Sequence, residues 1–149
     1  MRRLLPALLV LAACRTVPPP ATPPAPPAPV YLGIDPQRPY SEAVRAGDLL
    51  FVAGKLGTDA GGRLVPGGIA AETRQAMANV RAALERHGSG IDRVVKCTCF
   101  LADIGEWQAM SDAYVTAFPD GRRPARTALA VGGLPLGGRV EIECVAMAR

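Results

Sequence analysis

The feature that most limits what this chain can fold into is the distribution of proline. Nine of the 15 prolines lie within the first 29 of 149 residues, at Pro6 and then from Pro18 to Pro29. Proline fixes φ and donates no backbone hydrogen bond, so such a stretch is unsuited to a helix interior or a central strand. The packed part of the chain is therefore confined to roughly 120 residues, which is enough for one domain with its own core.

The residues before this tract have the order of a secretion signal. Two arginines precede an apolar run at 4–13, which is too short to span a bilayer. The run ends at Leu-Ala-Ala-Cys14, which resembles the processing box of bacterial lipoproteins. We predict a lipoprotein-type signal peptide at 1–14, lipidation of Cys14, and a Pro/Ala-rich tether at 15–30 that holds the domain to the membrane of the cell envelope, on the periplasmic side. The alternative is a start codon assigned too early, in front of a cytoplasmic protein.

The charge of the domain argues against nucleic-acid binding. The formal net charge is +4, but three arginines lie before residue 31 with no acidic residue beside them. The domain at 31–149 is left with 14 basic and 13 acidic residues. Nucleic-acid surfaces need a basic stripe, often with aromatic side chains, and this sequence has neither.

Apolar periodicity predicts two helices and five or six strands. A helix is predicted at 69–87, and a second from Gly105 to Pro119 that buries Trp107. Strands are predicted at 40–45, 49–53, 94–102, 127–131 and 139–147, with a small hairpin near 63–65. This order predicts an α+β two-layer sandwich, in which both helices pack on one face of the sheet.

The last predicted strand has two different faces. One is formed by Val140, Ile142, Cys144 and Ala146, and the other by Glu141, Glu143, Val145 and Met147. A sheet covered by helices on one face must solvate its second face or bury it against another subunit. The mixed acidic and apolar face is typical of a subunit interface, so we expect a homo-oligomer.

Five segments carry a family resemblance. They are Arg-Pro-Tyr-Ser-Glu-Ala-Val at 38–44, Leu-Phe-Val-Ala-Gly at 50–54, Glu-Thr-Arg-Gln with Asn-Val at 72–80, Val-Val-Lys-Cys-Thr at 94–98, and Pro-Ala-Arg-Thr at 124–127 followed by Val-Glu-Ile-Glu-Cys-Val-Ala at 140–146. In this order and spacing they resemble the Rid family of imine and enamine deaminases. The resemblance implies a chorismate-mutase-like fold with a mixed sheet, a homotrimer with sites between subunits, and no metal or organic cofactor.

The resemblance also implies roles for individual residues. Arg126 would bind the carboxylate of a 2-imino acid, and Glu143 would position water and exchange its proton. The residues that would line the substrate-binding pocket are Tyr40, Ala53, Gly54, Thr127 and Ser111. Taken from the residues alone, a structural ion pair of Arg126 with Glu141 or Asp120 is the favoured interpretation, because ion-paired arginines are common. Glu143 is then a solvated strand residue or an interface partner of Arg126, and Glu141 lies one pleat from it on the same face.

Three positions depart from the family pattern. Many relatives have Ser and Gln at the positions of Ala53 and Lys55, and a Cys at that of Ala128. Lys55 adds a cation that either favours a more acidic ligand or replaces Gln at the pocket rim. These departures bear on substrate range more than on reaction type.

The cysteines and the single histidine fit a structural role. Cys97, Cys99 and Cys144 are expected as small core residues, and an exported domain would allow Cys144 to bridge to Cys97 or Cys99. Their spacing with His87 makes a poor zinc site, and His87 is expected on the surface at a helix C-terminus.

The resemblance implies that the domain hydrolyses reactive 2-imino and enamine acids, such as 2-iminopropanoate and 2-aminoacrylate, to 2-oxo acids and ammonia. The alternative is a non-catalytic module of the same fold that binds 2-oxo acids. Ribonuclease activity, proposed for some relatives, is disfavoured by the near-neutral charge of the domain.

Overall fold

The structure, a computed structural model, describes Ala25 and residues 27–149. The predicted signal peptide, the predicted lipidation site at Cys14 and most of the predicted tether lie outside the described residues. Within the described part of the chain, no helix is both long and apolar enough to cross a membrane.

Six strands form one sheet in the order β1-β2-β3-β6-β4-β5. The strands are β1 (Val30–Leu32), β2 (Ala43–Ala46), β3 (Leu49–Leu56), β4 (Val94–Leu101), β5 (Ala125–Ala130) and β6 (Val140–Met147). Only the β4–β5 pair is parallel, and the other four pairs are antiparallel. The two α-helices of the described residues, α1 (Gly68–Arg86) and α2 (Trp107–Val115), pack on one face of this sheet. The predicted α+β two-layer sandwich is therefore confirmed.

Helix α1 forms because its apolar residues repeat every three or four positions. Ile69, Ala76, Met77, Val80 and Leu84 are buried against the sheet. After Arg86 the backbone turns at Gly88, where φ is 77°, and the Ser89 amide donates to the Leu84 carbonyl at 2.8 Å. This left-handed glycine ends the helix, as the sequence predicts.

Three local features differ from the sequence predictions. Strand β1 begins at Val30, the last residue assigned to the tether, because its backbone pairs with β2. The strand predicted from Tyr40 begins only at Ala43, and Tyr40 lies in the preceding bend. Trp107, predicted to be buried, is 41% exposed. It lies at the first position of α2, where its ring contacts the guanidinium of Arg126 and is not buried in the core.

The core contains a disulfide between β4 and β6. Cys97 and Cys144 are directly opposite each other in the antiparallel register and are bonded, with their Cα atoms 4.1 Å apart. Cys99 is opposite Ile142 instead, so it remains a free thiol in the core. Burial raises the pKa of Cys99 to about 11, although Arg126 and Lys96 oppose this shift. The sequence left the partner of Cys144 open, and the strand register decides it.

Candidate active site

Arg126 lies on edge strand β5 and points toward α2. Its guanidinium donates to the Ser111 hydroxyl at 3.0 Å and lies 4.0 Å from the sulfur of Met110. The guanidinium carbon is 5.4 Å from the ring centroid of Trp107 and 5.0 Å from that of Tyr114. Four side chains of one helix therefore orient the predicted carboxylate anchor, by one hydrogen bond to a hydroxyl, one contact with a sulfur and two cation–π contacts.

Neither ion pair considered for Arg126 forms. Asp120 binds Arg122 instead, with a shortest separation of 2.6 Å. Glu141 lies on the opposite face of the sheet. Among the described residues, Arg126 has no carboxylate partner. A guanidinium held in place without a counter-charge is suited to binding a small carboxylate.

The two glutamates of β6 face away from the helices. Val140, Ile142, Cys144 and Ala146 are buried, while Glu141 and Glu143 alternate with them on the open face. Arg126 lies opposite Cys97, on the helix-covered side of the sheet. The structure therefore does not bring Arg126 and Glu143 together within one chain.

Glu141 lies directly against the Gly54 backbone. A Cβ atom at Gly54 would overlap the Glu141 carboxylate, so the absence of a side chain at Gly54 leaves the space that this carboxylate occupies. Strand β3 has an irregular register between Val52 and Lys55, which includes Gly54. Burial, and then the negative charge of Glu143, raise the pKa of Glu141. From the sequence, Glu141 is only a candidate ion-pair partner of Arg126, because its close approach to Gly54 depends on the pairing of β3 with β6.

Glu143 occupies a different part of the open face. It lines a depression of about 130 Å³ together with Phe51, Lys96 and Thr98. The Glu143 side chain is exposed, and it belongs to neither the Arg126 cluster nor the contact between Glu141 and Gly54.

Lys55 and His87 lie in a charged cluster beside the C-terminus of α1. The Lys55 ammonium is 3.0 Å from one Glu42 oxygen, and His87 Nε2 is 2.9 Å from the other. Arg86 also binds the Glu42 carboxylate, at 2.6 Å. Burial by itself would raise the pKa of Glu42, but the hydrogen bonds from Arg86, His87 and Lys55 outweigh it and lower the pKa from 4.5 to about 2.

This cluster corrects two expectations from the sequence. The His87 side chain is only 9% exposed and pairs with Glu42, whereas it was expected on the surface. The Lys55 charge is compensated by Glu42 and is not a free cation for a ligand. Both contacts join residues far apart in sequence, which a local pattern does not reveal.

The remaining predicted pocket residues are spread over several elements of the fold. Tyr40 is 56% exposed, two residues before Glu42, whose carbonyl accepts a hydrogen bond from the Ala53 amide at 3.0 Å. The hydroxyl of Thr127 accepts a hydrogen bond from Lys96 at 2.9 Å. Ser111 is buried and contacts the guanidinium of Arg126 directly.

The chemistry of the site is thus divided between two surfaces of one chain. One surface carries a positioned guanidinium at edge strand β5. The other carries a half-buried carboxylate beside Gly54 on the open face. In the part of the chain that the structure describes, no group of three His, Cys, Asp or Glu side chains is arranged to hold a metal ion.

Known proteins are similar to this chain in sequence. A curated relative from Capra hircus, named 2-iminobutanoate/2-iminopropanoate deaminase, is 44% identical over 110 residues, which cover 73% of this chain and 80% of the relative. The human protein of the same name is 40% identical over the same proportions.

Solved structures agree with these relatives. A Yersinia pestis protein described as a member of the conserved Rid protein family has a TM-score of 0.75 at 31% identity, covering 81% of this chain and all of its own. RidA from Psychrobacter has a TM-score of 0.70 at 32% identity, covering 76% of this chain and 91% of its own. The family model described as Endoribonuclease L-PSP matches residues 32–148. The chain therefore belongs to the endoribonuclease L-PSP family, the family of the Rid proteins that its sequence resembles.

Proposed function

We propose that this chain hydrolyses 2-imino acids of the 2-iminopropanoate and 2-aminoacrylate type to 2-oxo acids and ammonia. The observation that carries this proposal is Arg126, whose guanidinium is oriented by α2 and has no carboxylate partner among the described residues. An arginine fork matches a carboxylate in two parallel hydrogen bonds. The names of the deaminase relatives, 40–44% identical to this chain, support the same substrate class.

We assign the water-positioning and proton-transfer role to Glu141, although the family resemblance first suggested Glu143. Glu141 is half-buried beside Gly54, and its raised pKa makes it a better base and proton carrier near neutral pH than an ordinary surface glutamate. Glu141 would take a proton from water as the water oxygen attacks the imine carbon. It would then return that proton to nitrogen, which gives a carbinolamine. In a second transfer the same carboxylate would move the hydroxyl proton to the amino group, so that the C–N bond breaks, ammonia leaves and the carbonyl forms.

The matched pair Glu141→Gln and Glu143→Gln tests this assignment. Imino acids are generated in situ by an amino-acid oxidase, and the imine that remains is trapped with semicarbazide. Glu141→Gln should lower kcat by about 10²–10⁴-fold, because it removes the proton carrier, while Glu143→Gln should retain most of the activity. If Glu143→Gln lowers kcat more than Glu141→Gln does, the proton-transfer role belongs to Glu143. If the unmodified protein binds 2-oxo acids without any imine turnover, the non-catalytic binding module is the correct function.

We further propose that the complete site forms between copies of the chain, as a homotrimer. Arg126 and Glu141 lie on opposite faces of the sheet, so one chain cannot present both to one small substrate. The open face also exposes apolar side chains, including Phe51, Leu129 and Met147. An interface between copies would cover them and join the edge strand of one copy to the open face of the next.

Mixing two inactive variants tests the shared site. Arg126→Ala and Glu141→Gln should each be nearly inactive, but subunit exchange should restore about a quarter of the wild-type sites, since an intact pair then comes from two different copies. Light scattering gives the oligomeric state in parallel. Failure of subunit exchange to restore turnover, while the mixed oligomers demonstrably form, would contradict a shared site.

We also propose that the protein is exported and held to the cell envelope through lipidated Cys14. The order of charges, apolar run and cysteine in the leader supports export. The disulfide in the domain core also supports it, because such bonds persist in oxidising compartments. Labelled palmitate should enter the wild-type protein and not Cys14→Ala, and the variant should leave the membrane fraction. Equal labelling and equal distribution of the two would favour the cytoplasmic alternative.

A further inference from the structure

The side chains that surround Arg126 come from one stripe of α2. Trp107, Met110, Ser111 and Tyr114 are spaced three and four residues apart, which places them on one face of the helix. All four contact or approach the guanidinium, at the distances given above. The stripe therefore forms the surface of α2 that holds the guanidinium in place.

Only one member of this stripe has surface left for a ligand. Met110, Ser111 and Tyr114 are buried, so their contacts are with the protein itself. Trp107 is 41% exposed, and the Arg126 guanidinium lies over its ring. A partly exposed indole ring beside a carboxylate anchor offers apolar contact within a few bonds of the bound carboxylate.

The charges near the site do not favour a second carboxylate. The Lys55 ammonium is paired with Glu42 at 3.0 Å, and Glu42 also binds Arg86 and His87. Glu141, the other charged group assigned to the site, is an acid. Neither Lys55 nor Glu141 would therefore meet the second charge of a dicarboxylic imino acid.

We infer that Trp107 is a specificity-determining residue, whose ring packs on the side chain of the substrate and selects monocarboxylic 2-imino acids with apolar side chains. This inference rests on the proposed function, since it takes Arg126 as the carboxylate anchor. The ring has a second effect, which is to hold the guanidinium in place, and the experiment must separate the two.

Trp107 is the only tryptophan of the chain, so its emission reports on this position alone. Titration with the 2-oxo acid of leucine, the product analogue of an apolar substrate, should change Trp107 fluorescence saturably. Arg126→Ala should abolish the change, and 2-oxoglutarate should bind at least ten times more weakly. A full-length protein that hydrolyses imines of leucine while its tryptophan emission stays constant would overturn the inference.

Turnover by variants separates selection from positioning. Trp107→Ala should raise KM for the imino acids of leucine and phenylalanine by tenfold or more, and that for 2-iminopropanoate by much less. Trp107→Phe should keep most of the wild-type preference for the larger apolar imino acids. Ile104→Ala is the matched control, because Ile104 is an exposed apolar residue just before α2 that has no contact with Arg126 among those described.

The possible failures are distinguishable. An equal loss for all substrates would mean that Trp107 only positions Arg126, and would overturn its role in selection. A wild-type protein with no turnover but with the expected fluorescence response would refute the deaminase function and leave the apolar selectivity of the site standing. If Arg126→Ala kept both the substrate preference and the fluorescence response, the ligand would bind elsewhere and the inference would be overturned.

Discussion

Reduction of the disulfide between Cys97 and Cys144 should lower the free energy of unfolding by about 4 kcal/mol. The bond joins residues separated by 47 positions, and it restricts the unfolded chain by closing that loop. The chain-entropy relation for a loop of this length gives about 4 kcal/mol near room temperature. The bond links the neighbouring strands β4 and β6. It therefore also restrains β6, which carries Glu141, and β4, which pairs with the Arg126 strand β5.

Urea unfolding followed by the fluorescence of Trp107 measures this effect. With a urea m-value of about 2 kcal/mol/M for a domain of this size, reduction should move the midpoint by about 2 M. The protein concentration must be the same in every sample, since dissociation of an oligomer makes the midpoint depend on concentration. Peptide mapping after alkylation gives the bonding state directly: Cys97 and Cys144 should be protected until a reductant is added.

The cysteine variants control for the loss of buried volume. In Cys97→Ala/Cys144→Ala the reductant should have no effect on the midpoint. In Cys99→Ala it should have the full effect, because that thiol is buried in the same strand but not bonded. The reasoning is refuted if oxidised and reduced wild-type protein differ by less than about 1 kcal/mol, or if both cysteines are alkylated in unfolded protein before reduction.

Two further variants test the role of Glu141, and a third tests the charged cluster around Glu42. Gly54→Ala should reduce deaminase activity at least tenfold with little loss of binding to 2-oxo acids, because the new Cβ displaces the Glu141 carboxylate; unchanged kcat would argue against Glu141 as the proton carrier. Glu143→Gln should shift the acidic limb of the kcat/KM profile to lower pH, since the charge of Glu143 raises the pKa of Glu141; an unmoved limb would mean that another group controls it. The lowered pKa of Glu42 gives stability that is complete above pH 4.5 and lost as the pH falls toward about 2. Thermal unfolding of Glu42→Gln should therefore depend less on pH across this window than that of wild type, and parallel profiles would refute the assignment.

The sequence alone determined the elements and the faces of the fold. The repeat of apolar residues in α1 fixed a helix whose predicted bounds differ from the observed ones by one residue at each end. The alternation in β6 separated the buried Ile142 and Cys144 from the open-face Glu141 and Glu143. Periodicity carries this information because a side chain's direction depends only on its own position along a helix or strand.

The tertiary structure decided which residues of different elements contact each other. Alternation shows that two residues share a face, but not which residue of the next strand lies opposite. Register therefore decided that Cys144 bonds Cys97 and not Cys99, and that Glu141 approaches Gly54. The pairing of Lys55 with Glu42, and the orientation of Arg126 by α2, likewise depend on contacts between segments distant in sequence, which form only when the helices and the sheet pack together.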